Sequence, residues 1–344
     1  MRVLVAMSGG VDSSVAAALL AEAGHEVVGA TMKLWGGPSD SGCCSVADVE
    51  DARRVAQQLG VVHHVFNFTD DFEEHVVGPY VEAHVAGRTP NPCVECNRHL
   101  KFDRFLRRAD QLGFDAIATG HHARVARRGD RAVLRRGEDA AKDQSYVLSM
   151  LTPDQLERIH FPVGAMTKAD VRRHASRLGL RTAAKPDSQD VCFVSATAGG
   201  REAFLGDRIP LRPGRVVDTD GREVGAVAAV ELVTVGQRRG LGSAGGGERL
   251  YALAVDIPRG VVTVGRDDDL LVRDLAVDGP AWVIGEPAIG TNVLAQASAH
   301  GRPMGARYAG SGRFELDEPQ RRVAPGQTIA LYDGDVVIGS GLAA

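Results

Sequence analysis

No run in this 344-residue chain approaches the roughly 18 consecutive apolar residues that a membrane span needs. The N-terminal RVLVAM has no basic n-region and is too short for the apolar core of a signal peptide. The expectation is a cytoplasmic protein without a membrane partner. Cysteines number five, an odd count that argues against a secreted disulfide framework and for thiols kept for chemistry. The net charge is only −4, so the total charge does not point to nucleic acid. Lysine is scarce: five of the 40 basic residues, the rest being arginine. That bias reads first as a GC-rich coding sequence. Pairs such as Arg107-Arg108, Arg127-Arg128, Arg135-Arg136, Arg172-Arg173 and Arg238-Arg239 are nonetheless candidates for a phosphate-tracking surface.

What is present falls into two halves. From Met1 to about Val194, short apolar runs alternate with amphipathic stretches. RVLVAM leads to VDSSVAAALLAEAG, HEVVGATM to VADVEDARRVAQQLG (closed by Gly60), and VVHHVFNF to helical patterns near 70–85 and 97–112, then DAIATGH. This alternation predicts right-handed βαβ crossovers and a parallel sheet covered on both faces. Ligands of such sheets bind beyond the carboxyl ends of the strands. After about residue 200 the pattern changes. Ten of the eleven histidines and all five lysines precede that point. The remainder is rich in Val and Gly, with hairpin turns in VVDTDGREVG, LYALAVDIPRGVVTVG and ALYDGDVVIGSG. The expected division is an α/β parallel-sheet domain over 1–197, a small β-rich domain over 198–265 and a C-terminal β-barrel over 266–344.

AMSGGVDSS joins the first strand to the first helix. Its glycines permit a tight turn and close approach of a phosphate, and the helix N-terminus favours an anion. The lysine of GxxxxGK[ST] is missing, which excludes a Walker A loop, and G-x-G-x-x-G is absent too. Asp12 suits this loop if Mg²⁺ bridges it to pyrophosphate. The bland alternative is a capped strand-to-helix turn. SGGVDSS resembles the PP-loop of the ATP pyrophosphatases, which activate a carbonyl oxygen as its adenylate. The loop alone does not choose among amidating synthetases and tRNA-modifying enzymes.

Cys93 and Cys96 form a lone CxxC in TPNPCVECN. A structural zinc site wants four ligands, and only the adjacent Cys43-Cys44 and the solitary Cys192 remain. Adjacent cysteines suit one tetrahedral ion poorly. A non-catalytic zinc-binding RNA module and a redox dithiol are weaker readings for these reasons. Cys96 precedes the helical run NRHLKFDRFLRRADQLG, and a helix N-terminus favours thiolate; Cys96 is therefore expected to be a nucleophile. Cys43 and Cys44 read as loop cysteines without chemistry, and Cys192 by itself as a packed thiol.

AMSGGVDSS, GCCSVADVEDARRVAQQLG, GRTPNPCVECNRHLKF, ATGHHAR, KDQSYVL, KPDSQDVCF, TVGQRRGL and YDGDVVIGSG occur in that order. Together they resemble the bacterial tRNA-specific 2-thiouridylases, from Ala6 nearly to the C-terminus. The resemblance implies an ATP site at Ala6, Met7, Ser8, Gly9, Gly10, Val11, Asp12 and Ser13 with Met32 and Gly120. It implies Cys96 as nucleophile and Cys192 as persulfide carrier; Asp12, an acid in an otherwise anion-binding loop, is expected to act in the adenylation step. Asn91, Pro92 and Cys93 correspond to the loop meeting the target base; His121, Lys142, Asp143, Gln144, Arg307, Tyr308 and Gln327 correspond to tRNA contacts. The partners implied are tRNA, through its wobble uridine, and a persulfide donor such as a cysteine desulfurase or sulfur-relay protein. ATP and Mg²⁺ follow as cofactors. Many members carry Asp where this chain has Cys93, which leaves Cys93 as bystander, ligand or redox partner. A minority reading makes Cys93, Cys96 and Cys192 the three ligands of a four-iron cluster. GAVAAVELVTVGQRRG lacks the His and Tyr usual before GQRRGL.

Overall fold

The computed structural model describes residues 1–35, 45–187, 191–195, 197, 199–241 and 249–344. Cys43 and Cys44 lie outside them. The chain forms two compact units. One holds Met1–Val76, Pro92–Ala198 and Asp335–Val337; the other holds Val77–Asn91, Gly199–Gly334 and Ile338–Ala344.

In the first unit, β1 (Arg2–Ala6), β2 (Glu26–Lys33), β3 (Val62–Asn67), β4 (Ala116–Ala118) and β7 (Ile159–His160) make one sheet in the order β3-β2-β1-β4-β7. Every pairing in it is parallel. Helix α1 (Val11–Glu22) follows β1 and α2 (Val46–Gln58) follows β2, the crossovers that parallel strands require. The strand order reverses across β1 and β4, so the loops leaving these two strands border the crevice where such sheets bind ligands.

Helix α1 is apolar nearly all round because it is enclosed. Val15, Ala16 and Ala17 pack with Val3 and Val5 of the sheet and with Val171 and Ala175 of the helix Lys168–Arg177. Alanines allow that close double contact, and α1 supplies few long side chains to compete for the space. A hairpin of β5 (Ala123–Arg128) and β6 (Arg131–Arg136) completes the strands of this unit.

The second unit carries two antiparallel-rich sheets. The smaller, in the order β10-β11-β8-β9, comprises β8 (Gly214–Val217), β9 (Glu223–Val227), β10 (Tyr251–Asp256) and β11 (Val261–Gly265) around Val216, Val230, Ala252 and Val262. The larger comprises β12 (Leu271–Trp282), β13 (Asn292–Gln296), β14 (Met304–Gly310), β15 (Arg313–Arg321), β16 (Thr328–Asp333) and β17 (Val336–Ala343). Pairing of β12 with β17 closes these six strands into a barrel, which leaves no edge among them. All three turn sequences in this half sit between consecutive strands, as their Asp-Gly and Pro-x-Gly chemistry predicts.

Tyr308 lies inside the barrel, 1% exposed, with ring centroids 5.5 Å from Trp282 and 5.2 Å from Phe314. Its hydroxyl donates to Glu286, which satisfies a buried phenol. Arg307, one residue earlier on the strand, faces the opposite way and is exposed. Tyr308→Ala and Phe314→Ala are each expected to cost about 3–5 kcal/mol, read as lowered urea midpoints. An unchanged midpoint for Tyr308→Ala would show that the ring is no part of the barrel core.

Candidate active site

The turn after β1 is built around two glycines and three serines. Gly9 adopts φ +74°, and a Cβ there would stand 2.2 Å from the Asp48 carbonyl oxygen. No side chain fits between the loop and α2. Ser13 Oγ accepts from Ser8 N–H at 3.2 Å, which folds the loop back over the first turn of α1. Gly10, the N-cap, offers no side-chain acceptor to that turn. The amides at the start of α1 are thus left for an anion. From β4, Gly120 presses against the same turn: a Cβ there would lie 2.4 Å from Ser13 N. Ala6, Met7, Val11 and Met32 are buried beneath.

Asp12 is held from two sides. Lys168 Nζ donates to both carboxylate oxygens, at 2.8 and 2.7 Å, and His122 Nε2 donates to Oδ1 at 3.2 Å. Burial alone would raise the Asp12 pKa, but the bonds from His122 and Lys168 outweigh it and hold the carboxyl below its usual range. Lys168 opens a helix, where a cation opposes the dipole; Asp12 and Asp187 offset that. Asp187 receives Lys168 at 2.8 Å, Lys142 at 2.7 Å and Arg172 at 2.9 Å. Burial raises the Asp187 pKa, while hydrogen bonds from Lys142 and Lys168 bring it down to about 2. Lys185 ties the next stretch to the loop, donating to the Gly9 carbonyl at 3.0 Å, to Asp48 at 2.7 Å and to Asp51 at 2.8 Å.

The cysteines correct the sequence reading in one respect. The helix begins at Pro92, a residue suited to a first helical position, five residues before the expected start at Asn97. Cys96 therefore lies inside the helical run, at the start of a π-helical stretch, Cys96–Arg104. It is 8% exposed, and burial pushes its thiol up to about 12, with Lys101 lowering it and Cys192 and Cys93 raising it. Desolvation outweighs the advantage that a helix N-terminus would have supplied.

Cys93 and Cys192 both act electrostatically on Cys96, which puts both in its neighbourhood. Phe193 is the anchor for Cys192. Its ring packs 5.6 Å from Phe72 and 6.1 Å from Trp35, fixing the residue beside Cys192. Val191 before it has φ +48°, a strained conformation for a β-branched residue. Asn97 Nδ2 donates to the Cys93 carbonyl at 3.0 Å and stiffens the CxxC turn. The π-helical stretch is pinned to the loop after β4 by Phe102, whose ring lies 5.7 Å from His121. Among the described residues no group of three or more His, Cys, Asp or Glu side chains is placed to hold a metal ion.

Three family profiles match in succession: "tRNA methyl transferase HUP domain" over residues 1–196, "tRNA methyl transferase PRC-barrel domain" over 202–266 and "Aminomethyltransferase beta-barrel domain" over 272–343. The tRNA-specific 2-thiouridylase MnmA of Roseiflexus sp. (strain RS-1) is 45% identical, across 99% of this chain and 98% of that protein. That of Chloroflexus aurantiacus (strain ATCC 29366 / DSM 635 / J-10-fl) is 47% identical, across 99% and 97%. The chain belongs to the tRNA-specific 2-thiouridylase family. Among solved structures it is similar to a 4-thiouridine synthetase in an RNA complex with bound ATP, at 20% identity and a TM-score of 0.39, over 57% of this chain and 45% of that one.

The remaining positions singled out by the 2-thiouridylase resemblance are dispersed. His121 is buried, its Nδ1 2.7 Å from Thr119 Oγ1, and burial drives its pKa well below the ordinary value, so its ring is neutral. Asp143 accepts from Arg136 at 2.9 Å and from Ser145 at 2.8 Å. Gln144 clamps the His122 backbone in both directions, at 2.8 and 2.9 Å. Of the KDQ run, Lys142 alone points to the charged knot. Pro92 and Cys93 belong to the first unit; Asn91, Arg307, Tyr308 and Gln327 belong to the second. Several of the arginine pairs are committed to acids: Arg107 to Asp103, Arg127 to Glu157, Arg135 to Asp335, Arg136 to Asp143 and Arg172 to Asp187. Arg238 and Arg239 are exposed.

Sequence reasoning missed Lys168, Lys185 and Asp187. The signal was there in the composition: three of the five lysines, Lys142, Lys168 and Lys185, meet the acids of these loops, in a chain that elsewhere uses arginine. Arginine's planar fork suits surface pairs, whereas these positions share one ammonium among several oxygens. Because the Asp187 pKa is lowered in the folded state, its stabilisation is complete above about pH 4 and is lost as the pH falls toward 2. Asp187→Asn is expected to cost about 1–2 kcal/mol at pH 7, discounted for a side chain one-third exposed. The gap in Tm between this variant and wild type should close between pH 5 and pH 2; a gap independent of pH would remove the charge knot from the stability of this region.

Proposed function

We propose that this chain is an ATP-dependent tRNA-uridine 2-sulfurtransferase of the cytoplasm, acting on the wobble uridine of the anticodon loop. The observation that carries this reading is the meeting of Cys96 and Cys192, 96 positions apart in sequence, in the unit that holds the PP-loop. The names of the matching families differ over the group transferred, methyl or sulfur. A pair of cysteines beside an adenylating loop supports sulfur.

The uracil 2-carbonyl is unreactive until its oxygen becomes a leaving group. O2 attacks the α-phosphorus of ATP, and pyrophosphate leaves. The first-turn amides of α1 stabilise that charge, as does Lys168 once the phosphates draw it from Asp12. Asp12, the ionised carboxylate of this loop, would hold Mg²⁺, which would supply charge neutralisation for the phosphates. A base in a single-stranded loop leaves its stack at little cost. Sulfur arrives as a persulfide on Cys192, delivered by a cysteine desulfurase or relay protein. Its terminal sulfur bonds to C2, and AMP departs with the former O2. Cys96 thiolate then attacks Cys192 Sγ and breaks the S–S bond. The thiolated uridine leaves with that sulfur and the bonding electron pair. A Cys96–Cys192 disulfide remains, which a thiol reductant returns to two thiols with two electrons and two protons. Asn91, Arg307 and Gln327 remain candidates for tRNA contacts, and the three-part division 1–197, 198–265 and 266–344 is retained.

Mass spectrometry of nucleosides tests this directly. Unmodified tRNA, ATP, Mg²⁺ and a persulfide donor should yield 2-thiouridine, with one pyrophosphate per product. Cys96→Ser and Cys192→Ser are each expected to lower the yield roughly 100-fold or more. Asp12→Ala should abolish tRNA-dependent pyrophosphate release. A methylated nucleoside formed with a methyl donor, or an amidated product formed with ammonia, would sink the sulfur reading in favour of another transferase or an adenylating synthetase.

A further inference from the structure

We propose that Lys101, carried onto the face of Cys96 by the π-helical stretch, is the counter-cation that lets this buried cysteine act as a thiolate. The inference rests on the sulfur-transfer reading above and names a positioning residue for its last step. In an α-helix of 3.6 residues per turn, residues five apart diverge by about 140°. In a helix of i→i+5 bonds they come round one turn and stand over each other. Residues Cys96–Arg104 adopt that second form, and it continues to the next residue, where Phe105 N–H bonds the Leu100 carbonyl. Cys96 and Lys101 are the i and i+5 pair of this stretch. A π-helix is rare, and its usual place is a functional site; the change of register is what an α-helix at this point would lack.

The surroundings require such a cation. Cys96 is packed away from water, where a bare thiolate is costly. The ionisable groups acting on it are Cys93 from its own helical run, Cys192 from the following segment, and Lys101. The two sulfurs disfavour its negative charge and Lys101 favours it. Lys101 also acts on His121 and helps keep that ring neutral, so a second positive charge does not form there. Release of thiolated uridine needs Cys96 to lose its proton to solvent and attack Cys192 Sγ; the ammonium of Lys101 then faces the thiolate until the disulfide forms. A persulfide on Cys192 draws on the same cation.

The test uses full-length protein preloaded with persulfide on Cys192, with tRNA, ATP and Mg²⁺, in wild type, Lys101→Met and Lys101→Arg. Single-turnover release of 2-thiouridine is followed from pH 6.5 to 9 beside pyrophosphate release. Iodoacetamide labelling of Cys96 is read peptide by peptide on the same proteins without substrates. Lys101→Met is expected to slow thiouridine release and Cys96 labelling by tenfold or more at pH 7.5, with the loss shrinking as pH rises. Lys101→Arg should recover most of both. Unchanged labelling of Cys96 in Lys101→Met would overturn the proposal. So would a well-folded Lys101→Arg as slow as a neutral variant, with Lys101→Gln replacing the Met variant if circular dichroism shows that one unfolded. If wild type makes no thiouridine, the sulfur-transfer reading fails, while the labelling comparison still decides the role of Lys101.

Discussion

An ionised carboxylate, Asp12, stands in the first turn of α1 between the Lys168 ammonium and the His122 imidazole. Much of the first unit can be traced to that placement. β1 and β4 must be neighbours so that the loops carrying Asp12 and His122 meet. Gly120 must be glycine so that the two loops touch. Alanines on α1 bring the helix Lys168–Arg177 close enough for its first residue to reach the carboxylate. A capping box of Thr167 and Asp170 fixes where that helix starts, and hence where Lys168 points. The opposing effect of the helix dipole is met by sharing the lysine between two aspartates.

The same balance of burial against partner governs the cysteines, with the opposite outcome. Asp12 has two donors, and its charge survives burial. Cys96 has one cation at hand and two sulfurs against it, and its thiol is pushed up to about 12. A buried thiol whose pKa is raised is less open to adventitious oxidation, since reactivity follows thiolate character and exposure. Phe193, clamped by Phe72 and Trp35, keeps Cys192 within range meanwhile.

The sequence by itself determined the architecture of this protein and the chemistry on offer. Periods of 3.6 and 2 marked the alternating elements. SGGVDSS placed an anion seat after the first strand, and Asp-Gly turns announced the β-rich second half. These are local properties, set by propensity and spacing within a dozen residues. Tertiary structure decided the rest. The Cys96 helix starts at Pro92 and continues as a π-helical stretch from Cys96, so Cys96 lies inside the helical run and is buried. Tyr308, read as a tRNA contact from its motif, went into the barrel core with Trp282 and Phe314, since closing six strands turns alternate residues inward. Lys168, Lys185 and Asp187 joined the loop of Gly9 and Asp12 from more than 150 residues away. No periodicity records such partners, because a charge buried by the fold takes whichever counter-charge the packing brings within three ångströms.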